Sequence, residues 1–475
     1  MDYTKLIGAF PEATINKTTS ANTLMNFLEL PADVKSWLLQ KFTGPNGALQ
    51  PFELSEYVKH KRLKANEWNM KLLEAAHSAK GEISLLTKVV IEFDYANDQI
   101  CFSLPEYGFP KKKGEGQVDW SVISRSKQLL NPDGCWGEAQ LVYECGVVRL
   151  DNFIPLCPYD FDLKKFQKGR EQFNIEEWID VLLTGLNFNP EGFDREAKLT
   201  LLQRFLPFVE KRLNQIELAI KGSAKSYCYS QLSIHNWLTS GTVSRATAFY
   251  NNATKKVGYF SRYDNVIWDE CQTIKCANAE EMNGVLKPYL ESGEIRIGNY
   301  CGTSDAGLTL VGNIPVGQMD FEKHNMFATL PKMFKESAFL DRFSGIIEGW
   351  KIGRFTEDKK YEGWGLSANY LTGMFHELRD EFYYRAIVDE LLSVEGNCDA
   401  RNFEAIKKTC TAFLKLLFPH ITSIKDVDVE EFKKYCLEPA IRMRWGVLYQ
   451  LRFLDEEYAN VEMPTIKVKE IKNDR

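Results

Sequence analysis

No apolar run in the 475-residue chain approaches the roughly 18 residues of a membrane-spanning helix, so no span is expected. The N-terminus MDYTKLIGAFPEATINKTTS has no basic stretch followed by an apolar one, which argues against a secretory leader. The 11 cysteines include no C-x-x-C pair, as fits a reduced cytoplasmic setting with inert thiols. The six histidines, His60, His77, His235, His324, His376 and His420, form no H-E-x-x-H, and G-x-S-x-G is absent. A zinc hydrolase and the simplest serine hydrolase are therefore disfavoured. A net charge of -6 argues against a general polyanion-binding coat, so any nucleic-acid contact must come from local basic clusters. Lys111, Lys112 and Lys113 form one, which reads equally well as a solvated loop. There is no internal repeat and no low-complexity segment.

What is present centres on QIELAIKGSAKS, residues 215–226. A short apolar strand runs into a Gly-bearing loop that ends in Lys225-Ser226, the layout of a phosphate-binding loop. Ala219 and Ala224 stand where that pattern has glycines, leaving only Gly222. Phosphate is cradled by successive backbone N–H groups at a helix start, so a methyl group is expected to be tolerated wherever φ stays negative. About forty residues on, NVIWDE (265–270) is an apolar strand ending in Asp269-Glu270, suited to holding Mg²⁺ and activating water.

Along the chain, residues 1–160 read as a mixed α+β module. Helical periodicity over 22–41 and 53–79 gives way to strands between 84 and 150, in a barrel or sheet of the oligonucleotide-binding kind. Residues 152–158, with two prolines, read as a linker. Residues 161–360 alternate strand and helix, predicting an α/β domain with a parallel sheet. Helices are expected over 195–213, broken near Pro207, and over 244–251 and 280–290, and strands at 237–240, 265–268 and 308–312. Residues 361–463 are helical, over 370–394, 402–417 and 429–454, and suit a lid; 464–475 reads as an unstructured tail.

Phosphoryl transfer needs positioning and charge neutralisation more than covalent chemistry. ATP would be held by Gly222, Ser223, Ala224, Lys225, Ser226 and Tyr227, with Lys225 on the β and γ phosphates. Ser226 and Asp269 would hold Mg²⁺, and Glu270 would orient the attacking water. Asn313 ends a strand expected beside that of Asp269 and could fix the water or the γ phosphate; it reads equally as a turn residue before Pro315. Arg342 could reach a neighbouring subunit's nucleotide and Arg401 could bridge lid and nucleotide, or each could form a local ion pair. Two inserted hairpins combine cations with aromatics, as a DNA backbone requires: 254–262 with Lys255, Lys256 and Arg262 around Tyr259 and Phe260, and 294–303 with Arg296 and Tyr300. Ordinary connecting hairpins are the alternative.

Many blocks in one order carry a resemblance: KGREQFNIEEWIDVLLTGLNFNPEGF, ELAIKGSAKSY, TVSRATAFYNNATKKVGYFSRYDNVIWDE, LKPYLESGEIRIGN, TLVGNIP, AFLDRFSGIIEGWKI and ARNFEAIKKTCTAFLKLLFPH. Over about 160–455, and more weakly before that, the chain resembles the BrxL family, Lon-like AAA+ proteins of BREX phage-resistance systems. The resemblance implies a AAA+ P-loop ATPase core with an α-helical lid, using ATP and Mg²⁺. It further implies assembly into hexameric or stacked rings on double-stranded DNA, alongside other phage-defence proteins. The core is similar to that of minichromosome maintenance helicases. LDRF then makes Arg342 an arginine finger acting in trans, ARNFEAI makes Arg401 the lid sensor, Asn313 becomes sensor 1, and 294–303 a hairpin facing DNA. Longer members carry a protease-like domain that would begin near the end of this chain, so no protease activity is expected. The family loop reads like GPRGTGKS where this chain has AIKGSAKS, which favours slightly an alternative: a DNA-binding oligomeric scaffold with weak or no ATPase activity. A protein unfoldase is a third reading, in which protein substrates rather than DNA would stimulate turnover.

Overall fold

A computed structural model describes residues 3–17, 30–43, 49–95, 97–112, 114–131, 134–156, 159, 161–328, 330–396 and 399–469. Its contacts divide the chain into one unit over residues 18–160 and another formed by 1–17 with 161–475. The first segment thus belongs with the later part of the chain. Residues Thr14–Asn16 pair antiparallel with Trp364–Leu366, and the buried Lys17 ammonium donates to the carbonyls of Thr184 and Gly185 at 2.8 and 2.7 Å.

In the unit over 18–160, five strands close a barrel: β1 (Glu82–Asp94), β2 (Gln99–Ser103), β3 (Gly116–Val118), β4 (Cys135–Glu144) and β5 (Val147–Pro155), in the order β1-β2-β3-β5-β4. Closure depends on the length of β1, whose residues 82–89 pair with β4 while residues 90–94 pair with β2. All pairings are antiparallel except β3 with β5. Inward residues Leu85, Phe102, Val118, Ala139, Leu141 and Leu150 fill the interior, each burying the alternate face of its strand. β5 runs to Pro155, so much of the expected linker is strand. Helices Ala32–Phe42, Pro51–Lys61 and Trp68–Ala76 precede the barrel, with a break at 62–64 where one helix was expected. The expected helical stretch 22–29, Lys113 and residues 157–158 of the expected linker lie outside the described residues.

The other unit is built on a five-stranded sheet: β6 (Gln215–Ala219), β7 (Asn236–Thr239), β8 (Asn265–Trp268), β9 (Gly307–Asn313) and β10 (Gly345–Glu348). The order is β10-β6-β9-β8-β7 and every pairing is parallel. Parallel strands need crossovers and are buried on both faces, as the wholly buried stretches of β6, β8 and β10 show. The helices that concern the site are α1 (Arg195–Gln203), α2 (Lys225–Ser230), α3 (Ala279–Ser292), α4 (Ala368–Arg379), α5 (Tyr383–Leu391), α6 (Ala400–Leu417) and α7 (Glu438–Leu454). α7 packs on β10 so closely that a Cβ at Gly345 would lie 2.5 Å from the Met443 Cβ. A π-helical turn, Lys433–Leu437, leads into α7 beside Pro439, whose missing N–H removes one hydrogen bond of the α pattern.

Two further expectations need correction. The helix over 370–394 is two helices followed by a strand, Leu392–Glu395, and the residues taken as a tail supply its partner, Thr465–Val468. The β-branched alternation of TIKV explains the pairing; residues 470–475 lie outside the described residues. Among the described residues, no helix is long and apolar enough to cross a membrane.

Candidate nucleotide site

Hydrogen bonding in a parallel sheet fixes strand ends side by side, so the carboxyl ends of β6, β8 and β9 bring their following residues together. Asn313 pairs in register with Ala219, and β9 lies between β6 and β8, as the expected neighbourhood of Asn313 and Asp269 requires. The Lys225 ammonium donates to the Ile220 carbonyl at 2.9 Å and to Asn313 Oδ1 at 3.0 Å. Burial holds this ammonium below its ordinary range, a shift opposed by Glu217. The Ser226 hydroxyl donates to Asp269 Oδ2 at 3.2 Å, and the Glu270 N–H donates to Asp269 Oδ1 at 2.8 Å. Lys225, Ser226, Asp269, Glu270 and Asn313, up to 88 residues apart in sequence, thus form one cluster.

The loop backbone departs from the expectation for its alanines. Ala219 is the last residue of β6, but Ala224 has φ +59°, like Gly222 at +77°. A left-handed alanine costs roughly 1–2 kcal/mol, of which a glycine would recover part after its own loss of chain entropy. Ala224→Gly is therefore expected to stabilise the protein by about 0.5–1 kcal/mol. A urea midpoint that does not rise would show that the loop carries no strain.

Behind the loop lies a group that the sequence reading passed over. Arg204, just after α1, is fully buried and meets Glu217 of β6, with 2.6 Å between Nη2 and Oε1. Its Nη1 donates to the Ser223 carbonyl at 2.9 Å, and Tyr229 donates to Glu217 Oε2 at 2.9 Å. A second tether runs from the Phe355 N–H to the Gly222 carbonyl at 2.8 Å. Arg204 therefore fixes the loop from below; the signal was Glu217 itself, an acid in the middle of a strand buried on both faces. Tyr227 turns away from the loop mouth, accepting from Asn187 Nδ2 at 2.6 Å and packing edge-on against Phe188.

Arg342 and Arg401 sit elsewhere. Arg342 donates to Glu291 Oε2 of α3 at 2.6 Å, and Arg401 reaches Asp341 Oδ2 at 3.1 Å and Glu291 Oε1 at 3.5 Å. The hydrogen bond from Arg342 holds the Glu291 carboxyl below the usual range. Asn214, the residue before β6, donates to the Arg342 carbonyl at 3.4 Å. The loop follows the other end of β6, five residues and roughly 16 Å away. The two arginines thus share one carboxylate at the amino edge of the sheet, opposite their own Lys225.

The two expected hairpins lie side by side, Tyr250 stacked on Tyr300 with ring centroids 4.0 Å apart. The first lies earlier in the chain than expected, over 250–257 rather than 254–262. Arg245–Ala248 is the only helical part of 244–251, and the strands are Tyr250–Asn251 and Lys256–Val257. Tyr259 and Phe260 then turn into the core, so these two rings cannot serve as stacking partners for a base. Lys255, Lys256, Arg262 and Arg296 are exposed; Arg262 lies over Tyr263, and Arg296 pairs with Glu294 at 2.8 Å.

A lysine and serine on a phosphate-type loop, facing an acidic pair and an asparagine at the carboxyl ends of a parallel sheet, define a P-loop ATPase type of domain. Residues 148–464 match the family model described as Lon-like protease BrxL-like, ATPase domain, and residues 8–143 match the one described as BREX system Lon protease-like protein BrxL N-terminal. The chain belongs to the BrxL family. It is 31% identical to the Lon-like protease BrxL of Bacillus cereus (strain H3081.97) over 291 residues, 61% of this chain and 43% of that one. With the Lon-like protease BrxL of Escherichia coli O9:H4 (strain HS) the identity is 29% over 402 residues, 82% of this chain and 56% of that one. The chain spans about half the length of these curated relatives. An ATPase domain of this family implies nucleotide use.

Proposed function

We propose that the protein is a cytoplasmic AAA+ ATPase of anti-phage defence that assembles into a ring on double-stranded DNA and couples ATP hydrolysis to action on it. The observation that carries this reading is the split site: the loop, acids and Asn313 at one edge of the sheet, Arg342 and Arg401 at the other. Arginines so placed reach a nucleotide only when it belongs to a neighbouring chain, and closed head-to-tail repetition of such contacts makes a ring.

Within one chain the roles follow from the atoms. Lys225, already aimed at the loop interior, binds phosphate oxygens, and the loop N–H groups at the start of α2 add to that attraction. Ser226 and Asp269 present hydroxyl and carboxylate oxygens 3.2 Å apart, the hard donors that Mg²⁺ takes. When bound, Mg²⁺ supplies neutralisation of charge on the phosphates. Glu270 accepts the proton of the attacking water, and Asn313 orients that water. Lys255, Lys256 and Arg296 on the paired hairpins, with Arg262 a few residues beyond the first, meet the DNA backbone, and the closed five-stranded barrel of residues 82–155 is an architecture used for oligonucleotides.

The strained Ala224 favours one competing reading, a DNA-bound scaffold with little turnover. Steady-state ATP hydrolysis at several protein concentrations, with and without duplex DNA, separates the two. Specific activity is expected to rise with concentration and again with DNA; a rate at background under all conditions would leave the scaffold.

A further inference from the structure

The segment 211–214, which leads into β6, places a third arginine at the amino edge of the sheet. Arg212 has φ +51°, a left-handed conformation that only glycine adopts without cost. Its backbone is held on both sides: the N–H donates to the Asp305 carbonyl at 2.9 Å, and the carbonyl accepts from the Lys408 ammonium at 3.4 Å. The side chain runs against the end of α3, where a Cβ on Gly293 would lie 3.0 Å from Arg212 Cδ and 3.1 Å from Nη1. No nitrogen of this guanidinium is hydrogen-bonded to a described residue, and Nε is sealed from solvent. The acids around it are engaged elsewhere. Asp305 pairs with Lys211, Glu291 with Arg342 and Arg401, and Glu404 with Arg385 and Lys407. Lys408 has no ion-pair partner among the described residues either; burial, and then the charge of Arg212, push its ammonium down to about 8. Positive charge is thus in excess along this edge, and the donors of Arg212 are unfilled.

From this arrangement we infer that Arg212 is a third cation acting in trans, its guanidinium closing on phosphate oxygens of the nucleotide held by the neighbouring chain. The inference rests on the head-to-tail ring proposed above. A guanidinium offers a planar fork of N–H donors that matches phosphate oxygens two at a time. Arg212 is gathered with the other two arginines around the end of α3. Asn214, two residues on, donates to the carbonyls of Leu290 and Arg342, each at 3.4 Å, and Gly293 lies two residues beyond the Glu291 that Arg342 and Arg401 share. Lys408 stands two turns along α6 from Arg401, on the same face. It is the positioning residue, since its ammonium holds the carbonyl of the left-handed Arg212. A triphosphate carries the charge that three such cations need. An arginine that merely complemented the negative end of α3 would not require a backbone conformation unfavourable to any residue with a Cβ, and outliers of this kind gather at working sites.

Arg212→Gly provides the test, because glycine keeps both backbone contacts and relieves the left-handed strain. The melting midpoint should hold or rise. ATP turnover of the assembled protein should nevertheless fall by about 10²–10³-fold, the loss that accompanies removal of one positioned donor, while ATP binding by dilute chains stays unchanged. Mixing with Lys225→Ala chains should restore part of the turnover, since an intact loop on one chain then meets an intact Arg212 on the next. Arg212→Lys, which keeps the charge and loses the fork, should retain more turnover than Arg212→Gly. Undiminished turnover of Arg212→Gly assemblies beside impaired Arg342→Ala assemblies overturns the inference and leaves the ring standing. Undiminished turnover of both variants overturns the ring reading and this inference with it. A loss that mixing does not restore assigns Arg212 to its own chain and also overturns the inference. Should Arg212→Gly melt below the parent, the same mixing is read with Arg212→Gln.

Discussion

Replacing Arg342 by alanine is expected to lower ATP turnover of the assembled protein by about 10³–10⁵-fold, the range that an arginine finger contributes. Binding of nucleotide by the individual chain should not change, because Arg342 lies beyond the opposite end of β6 from Lys225. The Glu291 side chain is 52% exposed while that of Arg342 is 14% exposed and also donates to the Ala338 carbonyl, so a phosphate that takes the place of the carboxylate has to draw the guanidinium outward. Arg401 shares that carboxylate and should move with Arg342. A mixing experiment isolates the trans requirement. Arg342→Ala chains and Lys225→Ala chains, each inactive alone, should regain part of the turnover when combined, since some interfaces then pair an intact loop with an intact arginine. If the mixture stays silent while dilute Arg342→Ala chains hydrolyse ATP as well as the parent does, the arginine has a purely structural part.

How much of this was legible in the sequence differs from element to element. The phosphate loop and the acidic strand end could be read because each is local: a few apolar residues followed at once by the polar groups that the chemistry needs. Strand–helix alternation likewise announced the parallel sheet, although only the structure gives the order β10-β6-β9-β8-β7. Contacts across long separations were not legible. Thr14 pairs with Leu366, His376 meets Asp264, and Arg401 joins Glu291 across 110 residues, with no periodicity to mark any of them. Tyr259 and Phe260 were misread for a related reason. Aromatics beside lysines look like a nucleic-acid surface, but burial of a large ring contributes more than exposure leaves available, and here the core takes both. Ala224 shows a third limit, because composition cannot reveal the sign of φ.

Glu270→Gln carries the second large effect, a loss of about 10²–10⁴-fold in the hydrolytic step, as expected for removal of a general base. Glu270 has φ +52°, a backbone conformation that costs a residue with a Cβ roughly 1–2 kcal/mol, and such outliers gather where geometry serves chemistry. Asp269 Oδ1 accepts the Glu270 N–H at 2.8 Å, and the Thr273 N–H donates to the Glu270 carbonyl at 2.7 Å, so the turn is held on both sides and the exposed carboxylate is free to face the cluster. Glutamine keeps the length, the volume and these backbone bonds while removing the anion that takes the proton. Lys225, Ser226 and Asp269 are untouched, so ATP binding and assembly should persist. Single-turnover phosphate release, measured beside equilibrium ATP binding, separates the steps. If release is undiminished, Glu270 is only a turn residue and the base lies elsewhere. If binding is lost together with release, the side chain supports the loop rather than the water.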